Sequence, residues 1–290
     1  ESRVWSAFRR VAPGENLPVE MVRGIDGGPI LPLWVKPAKP LAVHDVMELM
    51  RDHFEGTEFD LTKGVGAGPY ACPYRWRPME WEYEGASYLN ERAVSTQQTG
   101  FSFVAQARAS LPGPIGGVLW FGVDDTFSTV YVPMYAGIRE APANFAVGTG
   151  DFHRFTWDSA FWAFNAVAQL AYTRYSDIIP IVRAEQAALE GTFLARQADI
   201  EKAALDLWQR SPEAARDYLT AYSAKQAALT QKTWRGLWER LFVKFLDGNV
   251  RDESGKITHP AWPKSWMKRI VDEAGPTLKI NKFKGEPAEE

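Results

Sequence analysis

Cysteine is nearly missing from the 290 residues: Cys72 is the only one. A lone thiol excludes an intrachain disulfide and any metal site that needs two thiolates. Histidine is scarce too, with four residues. His44 and His53 stand two and a half helical turns apart, so on one helix they point to opposite faces and share no metal. His153 and His259 have no ligand spacing around them, and neither HExxH nor GxSxG occurs. Charge of one sign is not in excess. A formal net charge of -3 argues against a nucleic-acid partner held by a basic face. No apolar run reaches about 18 residues, so no membrane span is expected. No metal or cofactor is expected either. With one cysteine and no signal-peptide pattern, the compartment stays open, cytoplasmic or exported. The chain begins ESRVWSAFRR without an initiator methionine, and we expect a fragment or a processed product.

Aromatic residues, by contrast, are plentiful. Twelve Trp, ten Tyr and sixteen Phe favour a core or a pocket lined with rings. The first 40 residues are crowded with glycine and proline and leave room for one short helix at Val4–Val11. From Leu41 to about Phe54 the pattern turns helical, with Val43, Val46, Met47 and Met50 on one face and Gly56 placed to end it. Residues 64–85 read as loop. Gly64, Gly66 and Gly68 do not make a phosphate loop, because a helix precedes them and Pro69 follows.

The period then changes to two. In FSFVAQAR, Phe101, Phe103, Ala105 and Ala107 share one face, and Ser102, Val104, Gln106 and Arg108 share the other. GGVLWFGV (116–123) and STVYVPMYAG (128–137) read as a hairpin of two buried strands. Asp124 and Asp125 between them suit a turn; a cation site is the alternative. Helices follow from Trp157, capped by Thr156 or Asp158, with a break or kink at Pro180 and a further helix at about 182–209. Ser211-Pro212-Glu213 then restarts a helix that runs to about Leu246. Its Trp234, Leu237, Trp238, Leu241, Phe242 and Phe245 form an apolar stripe. Core packing is the simpler reading of that stripe; docking of a partner or of a second copy is the other. Strands clustered ahead of long helices define an α+β fold.

Arg108 raises a question of chemistry. A guanidinium at a strand end is costly if buried without a partner. Its planar fork suits a carboxylate or a developing oxyanion, and equally a structural salt bridge. A loop thiol such as Cys72 has no neighbour that would clearly lower its pKa.

Three segments together resemble a known family. HFEGTEFDLTKGVGAGP, TGFSFVAQARASLPGPIGGVLWFGVDDTFSTVYVPMYAG and DSAFWAFNAVAQLAYTRYSDI are similar to the cysteine dipeptidases of peptidase family C69, which are N-terminal-nucleophile hydrolases. The resemblance runs from about Val4 to about Trp208. It implies an αββα sandwich, with residues 1–250 as the C-terminal portion of one such domain and a helical layer at about 157–247. Residues 251–290 are then a polar, partly disordered tail that ends in KGEPAEE. The implied activity is dipeptide hydrolysis by an N-terminal cysteine whose own amino group is the base. Arg108 matches an arginine that assists the site in the wider superfamily. Gln106 on the same face, and Glu55, Thr57 and Asp60, are the implied substrate-binding residues, the last three meeting a dipeptide's ammonium group. Members begin at the nucleophile, whereas this chain begins at Glu1 and holds Cys72 mid-chain. The implied partners are therefore a dipeptide and an N-terminal half, covalent or separate, with a homo-oligomer also open. The rivals are an N-acyl amide hydrolase of the same fold and a non-catalytic assembly module.

Overall fold

The computed structural model describes residues 1–23, 28–77 and 79–280. Two compact units divide at Val243 and Lys244. The first opens with helix α1 (Ser2–Val11), followed by an irregular stretch with one short 3-10 turn at Val19–Val22. Helix α2 (Val43–Met50) stops four residues before the helix end read from the sequence. Arg51 closes it, and Phe54 and then Gly56 take positive φ, 64° and 76°. The apolar pull of Phe54 explains the early stop. Its ring is fully buried against Leu61, Ala93 and Phe59, which a continuing helix would not allow.

The region expected to be loop up to residue 85 contains a hairpin. Strands β1 (Glu80–Tyr83) and β2 (Ala86–Leu89) pair antiparallel around Glu84-Gly85, both at positive φ. Every residue of both strands is exposed, so no buried face betrays the hairpin in the sequence.

A three-stranded antiparallel sheet follows, in the order β3 (Phe101–Gln106), β4 (Val118–Val123), β5 (Val132–Tyr135), with the one-turn helix α3 (Gly113–Gly116) between the first two. Val104, Trp120 and Pro133 are in register across the strands and are buried. On the opposite face Phe101, Phe103 and Leu119 are 61%, 48% and 43% exposed. The helices therefore cover the partly polar face, and the greasier one is left open. The polar groups on the covered face are matched: Ser102 meets the Tyr131 hydroxyl at 3.0 Å, and Gln106 accepts from Trp120 and Gln197. Gly116 carries the corner after α3, where a Cβ would lie 2.5 Å from the Arg108 carbonyl.

Helix α4 (Ala160–Thr173) starts at Ser159, not at the expected Thr156 or Asp158, and Ser159 makes no side-chain cap bond. Thr156 instead accepts from the Asp158 N–H in a local turn. The chain breaks at Arg174 (φ -145°, ψ 59°), and α5 (Tyr175–Trp208) runs on through Pro180. The proline near the helix start forgoes one ladder bond without ending the helix. Ser211 caps α6 (Pro212–Lys244) as read, accepting from the Ala214 N–H at 3.2 Å. Trp234, Leu237 and Leu241 of its stripe are buried, with Trp234 stacked on Phe164 of α4 at 5.0 Å, while Phe242 stays 45% exposed.

A buried ion pair ties this unit together. Arg51 reaches Glu190 of α5 at 2.6 Å, and Glu190 also accepts from the Tyr131 N–H at 2.8 Å. A pair so deeply buried is tolerated because further bonds surround it: Arg51 also donates to Glu48 at 2.7 Å and to the Thr129 carbonyl at 3.3 Å, although its Nε stays without a partner. The second unit holds a small hairpin of β6 (Val250–Arg251) and β7 (Ile257–Thr258), then α7 (Lys264–Leu278), which buries none of its residues. The terminal KGEPAEE lies outside the described residues.

Candidate active site

A cleft of about 760 Å³ opens where β3 begins and β4 ends. Its walls are Gly66–Tyr70 with Cys72, Tyr74 and Trp76; Gln97–Gly100; Phe152; and Phe161, Asn165, Gln169, Tyr172 and Thr173 of α4. Asp124 closes it on the sheet side. The volume falls within the range of about 300–1,000 Å³ common for small-molecule sites.

The glycine-rich wall is held by a residue that sequence reading overlooked. Arg75 donates to the carbonyls of Leu61 (2.7 Å), Lys63 (3.2 Å), Gly66 (3.1 Å) and Cys72 (3.0 Å). With the Tyr74 carbonyl at 3.2 Å, one guanidinium fork thus gathers five carbonyls of a loop that has no ladder of its own. A Cβ on Gly66 would sit 2.8 Å from Arg75 Nε, so a side chain there would displace the fork. The Ser176 N–H bonds the Tyr70 carbonyl at 2.9 Å and fastens the wall to α5.

The two adjacent aspartates differ in their surroundings. Asp125 accepts from the Ser95 hydroxyl (3.3 Å), the Phe127 N–H (3.3 Å) and the Ser128 hydroxyl (3.0 Å), which makes it a scaffold for the 124–131 connection. Asp124 is 1% exposed, at φ 66°, and accepts one side-chain bond, from Asn165 at 2.9 Å; its Oδ2 has no partner. Burial pushes its pKa up to about 7. The Asn165 bond opposes the rise, and the Asp125 carboxylate beside it adds to it. The expected turn is therefore an eight-residue connection, 124–131, buried but for the half-buried Phe127. No group of three or more metal-ligating side chains occurs among the described residues.

The sequence-derived site residues fall into two groups. Arg108 donates to Glu201 at 2.5 Å and to the carbonyls of Gly116 and Ile115, both at 3.3 Å. Gln106 is joined to the same cluster through Gln197, which bonds both Gln106 and Glu201 at 2.8 Å. This cluster sits at the end of β3 opposite Gly100. Glu55, Thr57 and Asp60 serve their own loop. Glu55 accepts from the His53 N–H at 2.8 Å, Thr57 donates to the Phe54 carbonyl at 2.7 Å, and Asp60 accepts from Gly56 and Thr62. None of the five lines the cleft. Cys72 does, but burial raises its thiol pKa, the reverse of what a thiolate nucleophile needs.

An α+β scaffold whose small-molecule cleft lies at one end of an antiparallel sheet is the class that the geometry defines. The family model described as Peptidase family C69 matches residues 1–188, well over half the chain, and the chain belongs to that family. Among curated proteins it is 26% identical over 216 residues to a probable dipeptidase of Latilactobacillus sakei, covering 74% of this chain and 36% of that protein. It is 21% identical over 203 residues to probable dipeptidase B of Streptococcus pyogenes serotype M1, covering 70% and 39%. A probable dipeptidase of Salmonella dublin is 28% identical over 137 residues, covering 47% and 26%. The matched region thus spans less than two fifths of each relative. No helix among the described residues is long and apolar enough to cross a membrane.

Proposed function

We propose that this chain is the C-terminal portion of a dipeptidase and contributes its substrate cleft, while the nucleophile lies outside these 290 residues. The observation that carries this reading is the cleft walled by Asp124, Asn165 and the Arg75-held loop, within a chain of a peptidase family. The nucleophile is an N-terminal cysteine thiolate, with its own α-amino group, of near-neutral pKa, as general base. It attacks the dipeptide carbonyl carbon, hydrogen-bond donors hold the tetrahedral oxyanion, the C–N bond breaks as the α-ammonium returns its proton to the departing amino acid, and water then hydrolyses the thioester to release the acyl half and the free thiol. No cofactor takes part.

Two observations support an N-terminal half as partner, joined covalently or as a separate chain. The relatives named dipeptidases are much longer than the region matched. The outer face of the sheet carries Phe101, Phe103 and Leu119 largely in the open, as expected of a surface that another layer covers. The Glu201 ion pair favours a scaffolding role for Arg108 and Gln106. The bonds of Glu55, Thr57 and Asp60 likewise favour a loop-building role over contact with substrate. The test is a side-by-side assay of the complete protein on dipeptides and on N-acyl amino acid amides. Turnover of the dipeptides alone supports the reading. Turnover of the N-acyl amides alone replaces it with an acylase.

A further inference from the structure

A buried carboxyl with an unpartnered oxygen is energetically costly, and native structures supply it with a donor. Asp124 is such a group, and it stands in the wall of the cleft. Its neighbour Asp125 shows that this segment can satisfy a carboxylate when the role is structural. From side chains Asp124 receives only the Asn165 amide, which fixes one oxygen and leaves the other buried without a partner. Asp124 is also the one formally charged side chain among the described residues lining the cleft. The rest are rings, small apolar residues, the Cys72 thiol, and amides or hydroxyls such as Gln98, Thr99 and Gln169. A cleft whose single charge is negative favours a ligand carrying one positive charge. The ring of Phe161 and the indole of Trp76 in the same walls offer faces that also attract a cation.

We propose that the free Oδ2 of Asp124, oriented by Asn165, binds the α-ammonium of the substrate, so that this pair makes the enzyme select peptides with a free amino terminus. This rests on the dipeptidase reading and assigns the recognition step within it. Asp124 does not enter the covalent chemistry; Asn165 is a positioning residue. A neutralising ammonium also relieves the strain of the buried charge, which couples binding to ionisation of the carboxyl. A cation supplied by the N-terminal half could fill the same place, and the experiment separates the two sources.

The complete enzyme and its Asp124→Asn variant are assayed on alanyl-leucine and on N-acetyl-alanyl-leucine. Binding of the reduced-amide analogue of each is measured by calorimetry. The expected result is a fall in kcat/KM and in affinity of about 100-fold for the free-amine compounds, the scale of losing one partner of a buried charge pair. The acetylated compounds should change by less than about twofold. Equal losses on both would mean that Asp124 holds a cation of the N-terminal half or serves the reaction, and would overturn the proposal while leaving the dipeptidase reading intact. Wild-type enzyme that neither binds nor cleaves alanyl-leucine would overturn the dipeptidase reading and the proposal with it. Should the variant not fold, wild-type affinities suffice: tighter binding of the acetylated analogue than of the free amine overturns the proposal.

Discussion

Asn165 Nδ2 donates to Asp124 Oδ1 at 2.9 Å, joining α4 to the end of β4 across the floor of the cleft. The bond holds a carboxyl whose pKa burial has raised from its ordinary 3.8 to about 7. Folded protein therefore keeps this proton to higher pH than unfolded chain does. The contribution is full below about pH 4 and is lost as pH rises toward 7. Asp124→Asn removes it. Relative to the variant, wild type should lose stability across that window, by roughly 4 kcal/mol at the limit. Urea unfolding of both at pH 4.5, 6 and 7.5 measures this, and parallel profiles would refute it.

Arg51 and Glu190 form a pair that should not be split. Arg51→Met leaves the Glu190 carboxylate buried with only the Tyr131 N–H, a change expected to cost about 3–5 kcal/mol. Adding Glu190→Gln should recover a large part of that. A double variant no more stable than Arg51→Met would mean that the charge itself was not the penalty.

Arg75 makes a different prediction, about order within the cleft. Arg75→Lys keeps the charge but replaces a fork with a point donor, so several of the five carbonyl bonds are lost. Amide hydrogen exchange across residues 61–75 should accelerate about tenfold, equivalent to roughly 1.4 kcal/mol of local opening, with the α6 amides unchanged. Uniform acceleration across the chain would point to global destabilisation instead.

How much of this was readable beforehand depended on whether a residue's partners were near in sequence. The Ser211 cap, the period-two strands and the stripe of α6 use neighbours within a few positions, and each was legible. The early end of α2 was not, because Phe54 is drawn to Ala93, 39 residues away. Glu84-Gly85 joins two exposed strands without alternation, so the hairpin left no pattern. Arg108 stands out in the sequence because an arginine on a strand face needs a partner, and Glu201, 93 residues on, is that partner. Asp124 and Asp125 look identical in the sequence. Only Asn165 and the Ser95–Ser128 hydroxyls, brought in by the fold, tell them apart. Arg75 gave no signal, since its bonds go to carbonyls that every residue has.

The open face of the sheet should behave differently in the two contexts. Leu119→Ser in the 290-residue chain removes a side chain that is 43% exposed and should change stability by less than about 1 kcal/mol. In the complete protein, with that face covered, the same change should cost about 2–4 kcal/mol. Equal effects in chain and complete protein would show that nothing packs there.

The most direct test measures dipeptide hydrolysis by the purified 290-residue chain, by the complete protein, and by the chain mixed with the separately produced N-terminal half. Turnover is expected from the complete protein and from the mixture, and none from the chain alone. Hydrolysis by the chain alone, with no other polypeptide present, would contradict the assignment of the nucleophile to the N-terminal half.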